Sequence, residues 1–439
     1  MMGTRYISIS SIASIAITVS LIIMLMSYTA CLASKSEEVP YAARFIVYKA
    51  QQLMKKKEYE QAIRLLRKFQ EKRKRGSKSY LVDFALGNCF FMKGAYSVAI
   101  RYYQSATEKN HGFSAGWLNL AQCLHELKRY SASADAFIKA YNTSSNKNPD
   151  YLYYAGICLL SAGRHEDSIK ILERLLSLNN NPKIEWKEAL AHAYISHNEA
   201  KKALSFIEEL SEETKGNKRK TWQQVRVQTY FSLNMDKKAL SYLERLIRED
   251  PTDPNWWKGL SHLYLKENRY KDALAALIIK DFISPASKQE EKIMAQLSMA
   301  VGIPKQALRL YRRLSKKEPS PKLLYYMAQC YIRLNRPKDA LIYMNKAIKL
   351  DPKDKKLLFL KAQLLYQLER YSKAAVLFEM LAKQKVSPGR SWLMAGYAYL
   401  NSGDTKKAYH AFTKAKKYPG QRDSAAKALK ITSAFLSKF

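Results

Sequence analysis

The sequence is poor in helix-breaking residues and in cysteine. Its 439 residues include 15 glycines, 13 prolines and 5 cysteines, which are scattered along the chain. Because flexible linkers are rich in glycine, proline and small polar residues, this scarcity excludes a string of domains joined by long linkers. No two cysteines form a Cys-x-x-Cys pair, so the zinc and redox sites that use such pairs are not expected.

Acidic residues are also few. The chain has 38 acidic and 75 basic residues, which gives a formal net charge of +37. Basic runs occur at Lys55–Lys57, Lys72–Arg75 and Lys218–Lys220, in or near expected inter-helix loops. This excess indicates either an ordinary solvated surface or attraction to a polyanion such as anionic lipid, acidic polysaccharide or nucleic acid. A polyanion-binding protein that acts through basic loops therefore stays an alternative function.

Motifs of the common enzyme classes are absent as well. The sequence has no phosphate-binding glycine loop, no His-Glu-x-x-His pair and no EF-hand loop. Its one Gly-x-Ser-x-Gly match, Gly112–Gly116, falls in an expected helical hairpin and not in the strand-to-helix turn of a nucleophile elbow. Its seven histidines are dispersed, and the closest pair, His192 and His197, would lie ~140° apart on a helix. We therefore expect no catalytic residues, no metal site and no cofactor.

What the sequence does contain is a repeat. Small residues recur eleven times at spacings of 33 to 37 residues, each near the start of an expected second helix of a hairpin. They are Ala62, Ala99, Ser133, Ser168, Ala203, Ala239, Ala273, Ala307, Ala340, Ala374 and Ala408. A period near 34 predicts a stack of similar helical hairpins. In one unit, Gly94 is expected to end the first helix in the left-handed conformation. Such an array favours a binding scaffold over an enzyme.

This pattern resembles the tetratricopeptide repeat over about residues 43–420. The family's first-helix tryptophan position holds Trp117, Trp257 and Trp392, and its closing proline position holds Pro251 and Pro352. The resemblance implies an all-α fold, a right-handed superhelical solenoid of about eleven antiparallel helical hairpins. Residues 421–439 are predicted to form a C-terminal cap helix, which would cover the apolar face of the last repeat.

The resemblance also implies a partner-binding surface. In this family the first helices line the concave side, where tyrosine rings bury area and amides bond a partner's backbone. The predicted site residues are Phe84, Asn88, Asn119, Gln122, Tyr153, Tyr154, Trp256, Tyr325, Tyr326 and Gln329, with Phe91, Phe231 and Tyr366 on the same face. The alternative is that these rings only complete packing between repeats.

The dicarboxylate clamp of the chaperone-binding subclass is not expected. That clamp combines two asparagines, which Asn88 and Asn119 match, with three lysine or arginine residues. In this chain the cationic positions hold Phe84, Asp150 and Tyr154.

Residues 1–33 are predicted to be a targeting segment, followed by a short linker at 34–42. Ile7–Met26 is uncharged and apolar or hydroxyl-bearing, as in a secretory signal or an uncut membrane anchor. Tyr28–Cys31 resembles a bacterial lipobox, which implies lipidation of Cys31; cleavage after Ala33 is a further alternative. All three outcomes predict a location outside the cytoplasm, in the periplasm and membrane-tethered in two of them, so a nucleic-acid partner is not expected.

Two further expectations concern the middle of the array. Cys89, Cys123 and Cys158 occupy nearly the same place in successive repeats, and helix axes ~8–10 Å apart disfavour disulfides between them. We expect small buried residues there. Residues 256–314 resemble the repeat proteins associated with TonB–ExbB–ExbD systems, which implies an accessory role in an energy-transduction or secretion complex. The main hypothesis is a non-catalytic protein–protein interaction scaffold in the bacterial cell envelope.

Overall fold

The computed structural model describes residues 39–72 and 78–436, and the regular secondary structure of these residues is helical throughout. They form two compact units that divide after Met235. From α1 to α22, odd-numbered helices are the first helices of the repeats and even-numbered helices are the second; α23 follows the last pair. The first unit contains α1 Tyr41–Lys55, α2 Tyr59–Glu71, α3 Tyr80–Met92, α4 Tyr96–Lys109, α5 Ser114–Glu126, α6 Tyr130–Thr143, α7 Asp150–Ser161, α8 His165–Ser177, α9 Ile184–Ser196, α10 Ala200–Glu213 and α11 Gly216–Ser232.

The second unit is built in the same way. It contains α12 Asp236–Glu249, α13 Pro254–Lys266, α14 Tyr270–Ile283, α15 Lys288–Ala300, α16 Pro304–Lys317, α17 Pro321–Arg333, α18 Pro337–Leu350, α19 Lys355–Gln367, α20 Tyr371–Lys383, α21 Pro388–Asn401, α22 Thr405–Lys416 and α23 Arg422–Leu436. A short 3₁₀ helix, Pro419–Gln421, precedes α23. The predicted all-α fold of repeated helix pairs with a helix after the last pair is confirmed.

A residue with positive φ separates the first from the second helix of every pair. These turn residues are Lys57, Gly94, Lys128, Gly163, Asn198, Asn234, Asn268, Gly302, Asn335, Glu369 and Gly403. Each stands five residues before a recurring small residue, so turn and small residue share one period. After the turn residue, an N–H bonds back to the first helix, as from Ala95 to the Phe90 carbonyl at 2.9 Å. This Schellman closure reverses the chain, as expected for Gly94.

The recurring small residues are the points of closest packing. All eleven have a relative exposure of 0%. Two of them are serines, and a buried hydroxyl needs a hydrogen-bond partner. Ser133 Oγ donates to the Ala121 carbonyl and Ser168 Oγ donates to the Gly156 carbonyl, each at 2.8 Å. The serines are therefore satisfied by the first helix of their own pair.

Glycines on the first helices admit large side chains from the second. A Cβ built on Gly87 would stand 2.6 Å from Tyr103 Cε1, and one built on Gly156 would stand 2.5 Å from Leu172 Cδ2. Real Cβ atoms do not approach carbon so closely, since protein interiors are already close-packed. These positions therefore require glycine for contact rather than for backbone conformation.

The cysteines of the array are free and buried. Cys89, Cys123, Cys158 and Cys330 form no disulfide, which confirms the prediction of small core residues. The predictions for residues 1–33 and for Cys31 lie outside the described residues, as does most of the 34–42 linker. Within residues 39–72 and 78–436, no helix combines the length and the apolar character needed to span a membrane.

Candidate partner-binding cleft

Counting from the turn residues reveals a row of amides on the first helices. In seven of the eleven repeats the residue six positions before the turn is an asparagine or glutamine. These residues are Gln51, Asn88, Gln122, Gln228, Gln296, Gln329 and Gln363. In the second unit they occur on three consecutive first helices, α15, α17 and α19. Of these seven, Asn88, Gln122 and Gln329 were predicted as site residues. The other four are recognised as members of the row only when the repeats are aligned on their turn residues.

Two of these amides border a cleft between α15 and α17 in the second unit. The cleft has a volume of about 420 Å³ and is lined by Gln296, Met299, Ala300, Tyr311, Tyr326, Gln329, Ile332 and Arg333. Gln296 and Gln329 lie six residues before their turns, and Met299 and Ile332 lie three residues before them. Equivalent positions of neighbouring repeats thus face the same space. We call it the α15–α17 cleft.

Aromatic rings form one wall of the α15–α17 cleft. The Tyr326 ring stacks on Tyr311 at 5.2 Å between centroids and lies 5.6 Å from Tyr325. Gln329 Nε2 donates a hydrogen bond to the Tyr325 hydroxyl. Tyr311 is almost fully buried behind this wall, and burial raises its pKa.

The rim of the cleft is cationic. Arg333 is exposed and donates through Nη1 to the Met299 carbonyl at 3.4 Å. Amides can hydrogen-bond a peptide backbone, the methionine, isoleucine and tyrosine surfaces can hold an aliphatic or aromatic side chain, and a guanidinium can pair with a carboxylate. This combination of groups suits binding of a peptide segment.

A second cleft lies in the first unit, mainly between α4 and α6. It measures about 550 Å³ and is lined by Gln104, Thr107, Glu108, His111, Trp117, Leu120, Lys139, Asn142 and Thr143. The Lys139 ammonium stands 4.4 Å from the centre of the Trp117 ring, and Trp117 Nε1 donates to the His111 carbonyl at 2.9 Å. Most of these residues belong to second helices, and none of them was predicted as a site residue.

Four predicted site residues of the first unit are buried. Asn88 Oδ1 accepts from Asn119 Nδ2 at 2.8 Å and from the Tyr103 hydroxyl at 2.7 Å. The Phe84 ring packs edge-on against Phe113 at 4.8 Å. Phe84, Asn88, Asn119 and Gln122 all have relative exposures of 8% or less. Their contacts are with their own chain, as the packing alternative expects for Phe84.

The tyrosines of α7 are half-buried. The rings of Tyr153 and Tyr154 lie 5.4 Å apart, and Tyr154 packs 5.5 Å from Phe137. Burial raises the pKa of Tyr153 to about 12. At the start of the same helix, Asp150 pairs with Lys183 at 2.7 Å. An acidic side chain therefore occupies what would be a cationic position of the dicarboxylate clamp.

The remaining predicted residues lie in the second unit and differ in burial. Trp256 on α13 is 2% exposed and belongs to the interior. Its neighbour Trp257 is half-buried and donates through Nε1 to the Pro251 carbonyl at 2.8 Å. Tyr325, Tyr326 and Gln329 are half-buried at the α15–α17 cleft. Of the ten predicted residues, these three are the ones that the structure gathers at a cleft.

Family models match several stretches of the chain. Tetratricopeptide-repeat models match residues 49–115, 96–149, 150–179, 237–278 and 389–421. A model described as anaphase-promoting complex, cyclosome, subunit 3 matches residues 304–381. The matches fall in both units of the structure.

Individual proteins are similar over parts of the chain. The TPR repeat-containing protein YpiA of Bacillus subtilis (strain 168) is 32% identical over 101 residues, 23% of this chain and 23% of that protein. The chain thus matches about a quarter of the length of this relative. YrrB, a TPR protein with an unusual peptide-binding site, has a TM-score of 0.36 and 19% identity over 43% of this chain and 97% of its own. A Naa15/Naa10 complex bound to HypK has a TM-score of 0.41 and 15% identity, and the match covers 90% of this chain and 74% of that chain.

The family follows from the matched repeats together with the helix pairs themselves. Each pair repeats a left-handed turn residue and a fully buried small residue at one fixed separation. The repeat models match this same array in both units. The chain belongs to the tetratricopeptide-repeat family.

Proposed function

We propose that this protein is a non-catalytic scaffold that binds a segment of a partner protein in the α15–α17 cleft. The observation that carries the proposal is the pair of amides, Gln296 and Gln329, at equivalent positions beside an apolar wall. An extended peptide has unpaired N–H and C=O groups along its length, and side-chain amides can bond both. The exposed Arg333 favours a segment with a carboxylate near one end.

Site-specific photocrosslinking tests this site. A photoreactive residue in place of Gln329 should capture a discrete partner when the full chain is expressed in its native host. The matched control carries the same residue in place of Ser205, which is exposed on the second helix α10. Adding Tyr326→Ala to the Gln329 probe should remove the crosslink, because the ring wall is lost. Equal crosslinking at both positions, or a crosslink that survives Tyr326→Ala, would contradict the proposal.

We further propose that the scaffold works in the cell envelope, held there by its N-terminal segment. The support is the pattern of residues 1–33, with the uncharged stretch Ile7–Met26 and the lipobox-like Tyr28–Cys31. Labelling cells with a radioactive fatty acid, with Cys31→Ser as control, distinguishes the three routes. Label that depends on Cys31 indicates a lipoprotein. Unlabelled protein indicates an uncut anchor if the mature chain keeps its N-terminal segment, and cleavage after Ala33 if the mature chain begins at Ser34. Protein recovered in the cytoplasm would refute export.

An accessory role in a TonB-type complex stays a prediction from residues 256–314. The gene neighbourhood tests it, since genes for such a complex should lie beside this one. A neighbourhood without them would count against that role.

A further inference from the structure

The second helices carry a stripe of mostly solvent-exposed side chains. It comprises the residues two positions before and two, five and nine positions after each recurring small residue. These offsets follow the i, i+4, i+7, i+11 spacing of one helix face. On α16 the stripe is Lys305, Arg309, Arg312 and Lys316, all of them exposed. We call these four positions on each second helix the outer stripe.

The charge of the outer stripe differs between the two units. In the first unit, five basic and eight acidic residues occupy it: Arg64, Arg67, Arg101, Lys170 and Lys201, against Glu60, Glu71, Glu108, Asp135, Glu166, Glu173, Glu208 and Glu212. In the second unit, twelve basic and two acidic residues occupy it: Lys237, Arg248, Lys271, Lys305, Arg309, Arg312, Lys316, Lys338, Lys349, Lys383, Lys406 and Lys417, against Glu244 and Glu379. The outer stripe therefore carries a net charge of −3 in the first unit and +10 in the second.

These cations are largely unneutralised. All twelve are exposed. Within the described ranges, Lys383 is the one member of the twelve that forms an ion pair, with Glu379 at 2.7 Å. Clustered like charges destabilise a folded protein through repulsion. An anionic surface would relieve that repulsion when it docks.

Large apolar side chains are exposed on the same stripe. Phe282 on α14 is 87% exposed, Val376 on α20 is 63% exposed and Ile342 on α18 is 52% exposed. In the described first unit, no large hydrophobic residue of the outer stripe is comparably exposed; Leu178, which is 53% exposed, lies just after α8 and off the stripe. Cations interspersed with exposed apolar side chains are typical of surfaces that lie at the lipid–water interface, where the apolar groups enter the headgroup region. A purely electrostatic surface for nucleic acid has no use for those apolar groups.

We propose that the outer stripe of the second unit docks on a membrane surface that contains anionic lipid. The lysine and arginine side chains pair with lipid phosphates, and Phe282, Ile342 and Val376 enter the headgroup layer. Docking involves the second helices, whereas the α15–α17 cleft is lined mainly by first helices. The proposal therefore does not depend on the proposed partner site.

The test measures how close one stripe position comes to lipid in the full chain. An environment-sensitive fluorophore is attached at Val376→Cys in a chain that also carries Cys31→Ser. The other four cysteines are buried, and burial raises the pKa of each thiol, so they react slowly with the label. The protein is reconstituted in vesicles of phosphatidylcholine, with or without phosphatidylglycerol, that include a nitroxide-bearing quencher lipid. The control label is at Ser205→Cys, the equivalent stripe position on α10 of the first unit.

The expected result is quenching at position 376 that requires phosphatidylglycerol and weakens at high salt, with no such change at position 205. Each label is attached to its own variant of the full chain. Insertion of the N-terminal segment therefore affects both variants equally and does not explain a difference in quenching between them. Each cation near an anionic surface contributes about fivefold to binding. The triple change Lys305→Gln, Arg309→Gln and Lys316→Gln should thus reduce docking about a hundredfold. The matched triple change Arg64→Gln, Arg101→Gln and Lys201→Gln should leave it unaltered.

Three results would overturn the proposal. One is equal quenching at positions 376 and 205, and another is quenching that does not depend on phosphatidylglycerol. The third is a response at position 376 to a DNA duplex but not to lipid, which would make the stripe a nucleic-acid surface. Circular dichroism should show that both triple variants keep their helix content, since every altered side chain is exposed.

Discussion

Glu290 and Lys280 form a buried ion pair that should stabilise the α14–α15 corner of the second unit. Both residues have relative exposures below 9%. Lys280 Nζ donates to Glu290 Oε2 at 2.8 Å, and Lys258 Nζ lies 3.0 Å from Glu290 Oε1. The same carboxylate accepts the Ser287 backbone N–H at 2.9 Å, which completes the capping box at the start of α15. One carboxylate therefore joins three helices.

Replacing Glu290 by glutamine should cost about 3 kcal/mol of folding free energy. Burial raises the pKa of Glu290, but the hydrogen bonds from Lys280, the Ser287 backbone and Lys258 outweigh it and hold that pKa at about 2. Relative to the ordinary value of 4.5, this corresponds to about 3 kcal/mol in favour of the charged, folded form. Removal of one partner of a buried pair costs a similar amount, about 3–5 kcal/mol, because the other charge stays uncompensated.

The assay has to be local, since long repeat arrays do not unfold in one step. Hydrogen exchange followed by mass spectrometry should show α14 and α15 of Glu290→Gln opening about a hundredfold more often than in the unaltered protein. The matched control is Glu318→Gln, which removes an exposed pair with Lys288. Exposed pairs contribute about 0–1 kcal/mol, so exchange there should change little. Equal effects of the two substitutions would refute the reasoning.

The same pair predicts a pH dependence with a definite sign. The folded pKa of Glu290 is depressed, so its contribution is present above pH 4.5 and is lost as the pH falls toward 2. The difference in local stability between the unaltered protein and Glu290→Gln should therefore shrink below pH 4.5. A difference that stays constant from neutral pH to pH 3 would show that the carboxylate is not stabilised by its charge.

Two further predictions concern the turns and the helix contacts. Lys128 has φ of 57°, and a left-handed lysine costs about 1 kcal/mol. Lys128→Gly should therefore slow the local opening of α5 and α6 that hydrogen exchange measures. The reverse change Gly163→Lys, where nothing lies within 4 Å of an added Cβ, should speed the opening of α7 and α8. If both changes speed local opening, backbone strain is not the cause. Gly156→Ala places a Cβ 2.5 Å from Leu172 and should reduce the local stability of α7 and α8 by about 1–3 kcal/mol through overpacking. The double variant with Leu172→Ala should be more stable than the sum of the two single losses, and simple additivity would contradict the contact.

The helix pairs could be predicted from sequence because two strong local requirements repeat together. A small residue is needed where two helices touch, and a turn residue that tolerates positive φ is needed five positions earlier. The turn requirement is less visible, since Lys57, Lys128 and Glu369 hold the same conformation as the four glycines. The position of each turn is therefore predicted from the periodicity of the small residues and not from the identity of the turn residue.

The binding site could be predicted only in part, because burial depends on neighbours that are distant in sequence. Trp256 and Trp257 are adjacent and chemically identical, yet Trp256 is interior and Trp257 is half-buried. Phe84 lies on a first helix as expected, but the ring of Phe113, just before α5, packs against it and covers it. In the sequence alone, Gln296 looks like a solvated helix position. Alignment of the repeats on their turn residues shows that it is equivalent to Gln329, which lines the same cleft.

Different faces of each helix pair are under different constraints: one face packs in the core and another is exposed to solvent. The recurring small residues, and first-helix glycines such as Gly87 and Gly156, are fixed by packing contacts, so their identities are explained by folding alone. Most outer-stripe side chains are exposed and make few core contacts; Ile138 and Ile278, which pack against the core, and Arg312, which donates to the Tyr331 hydroxyl, are among the exceptions. A charge difference confined to that stripe in one unit is therefore not a by-product of packing. The same reasoning gives less weight to buried aromatics such as Phe84 and Trp256, whose presence the core already explains.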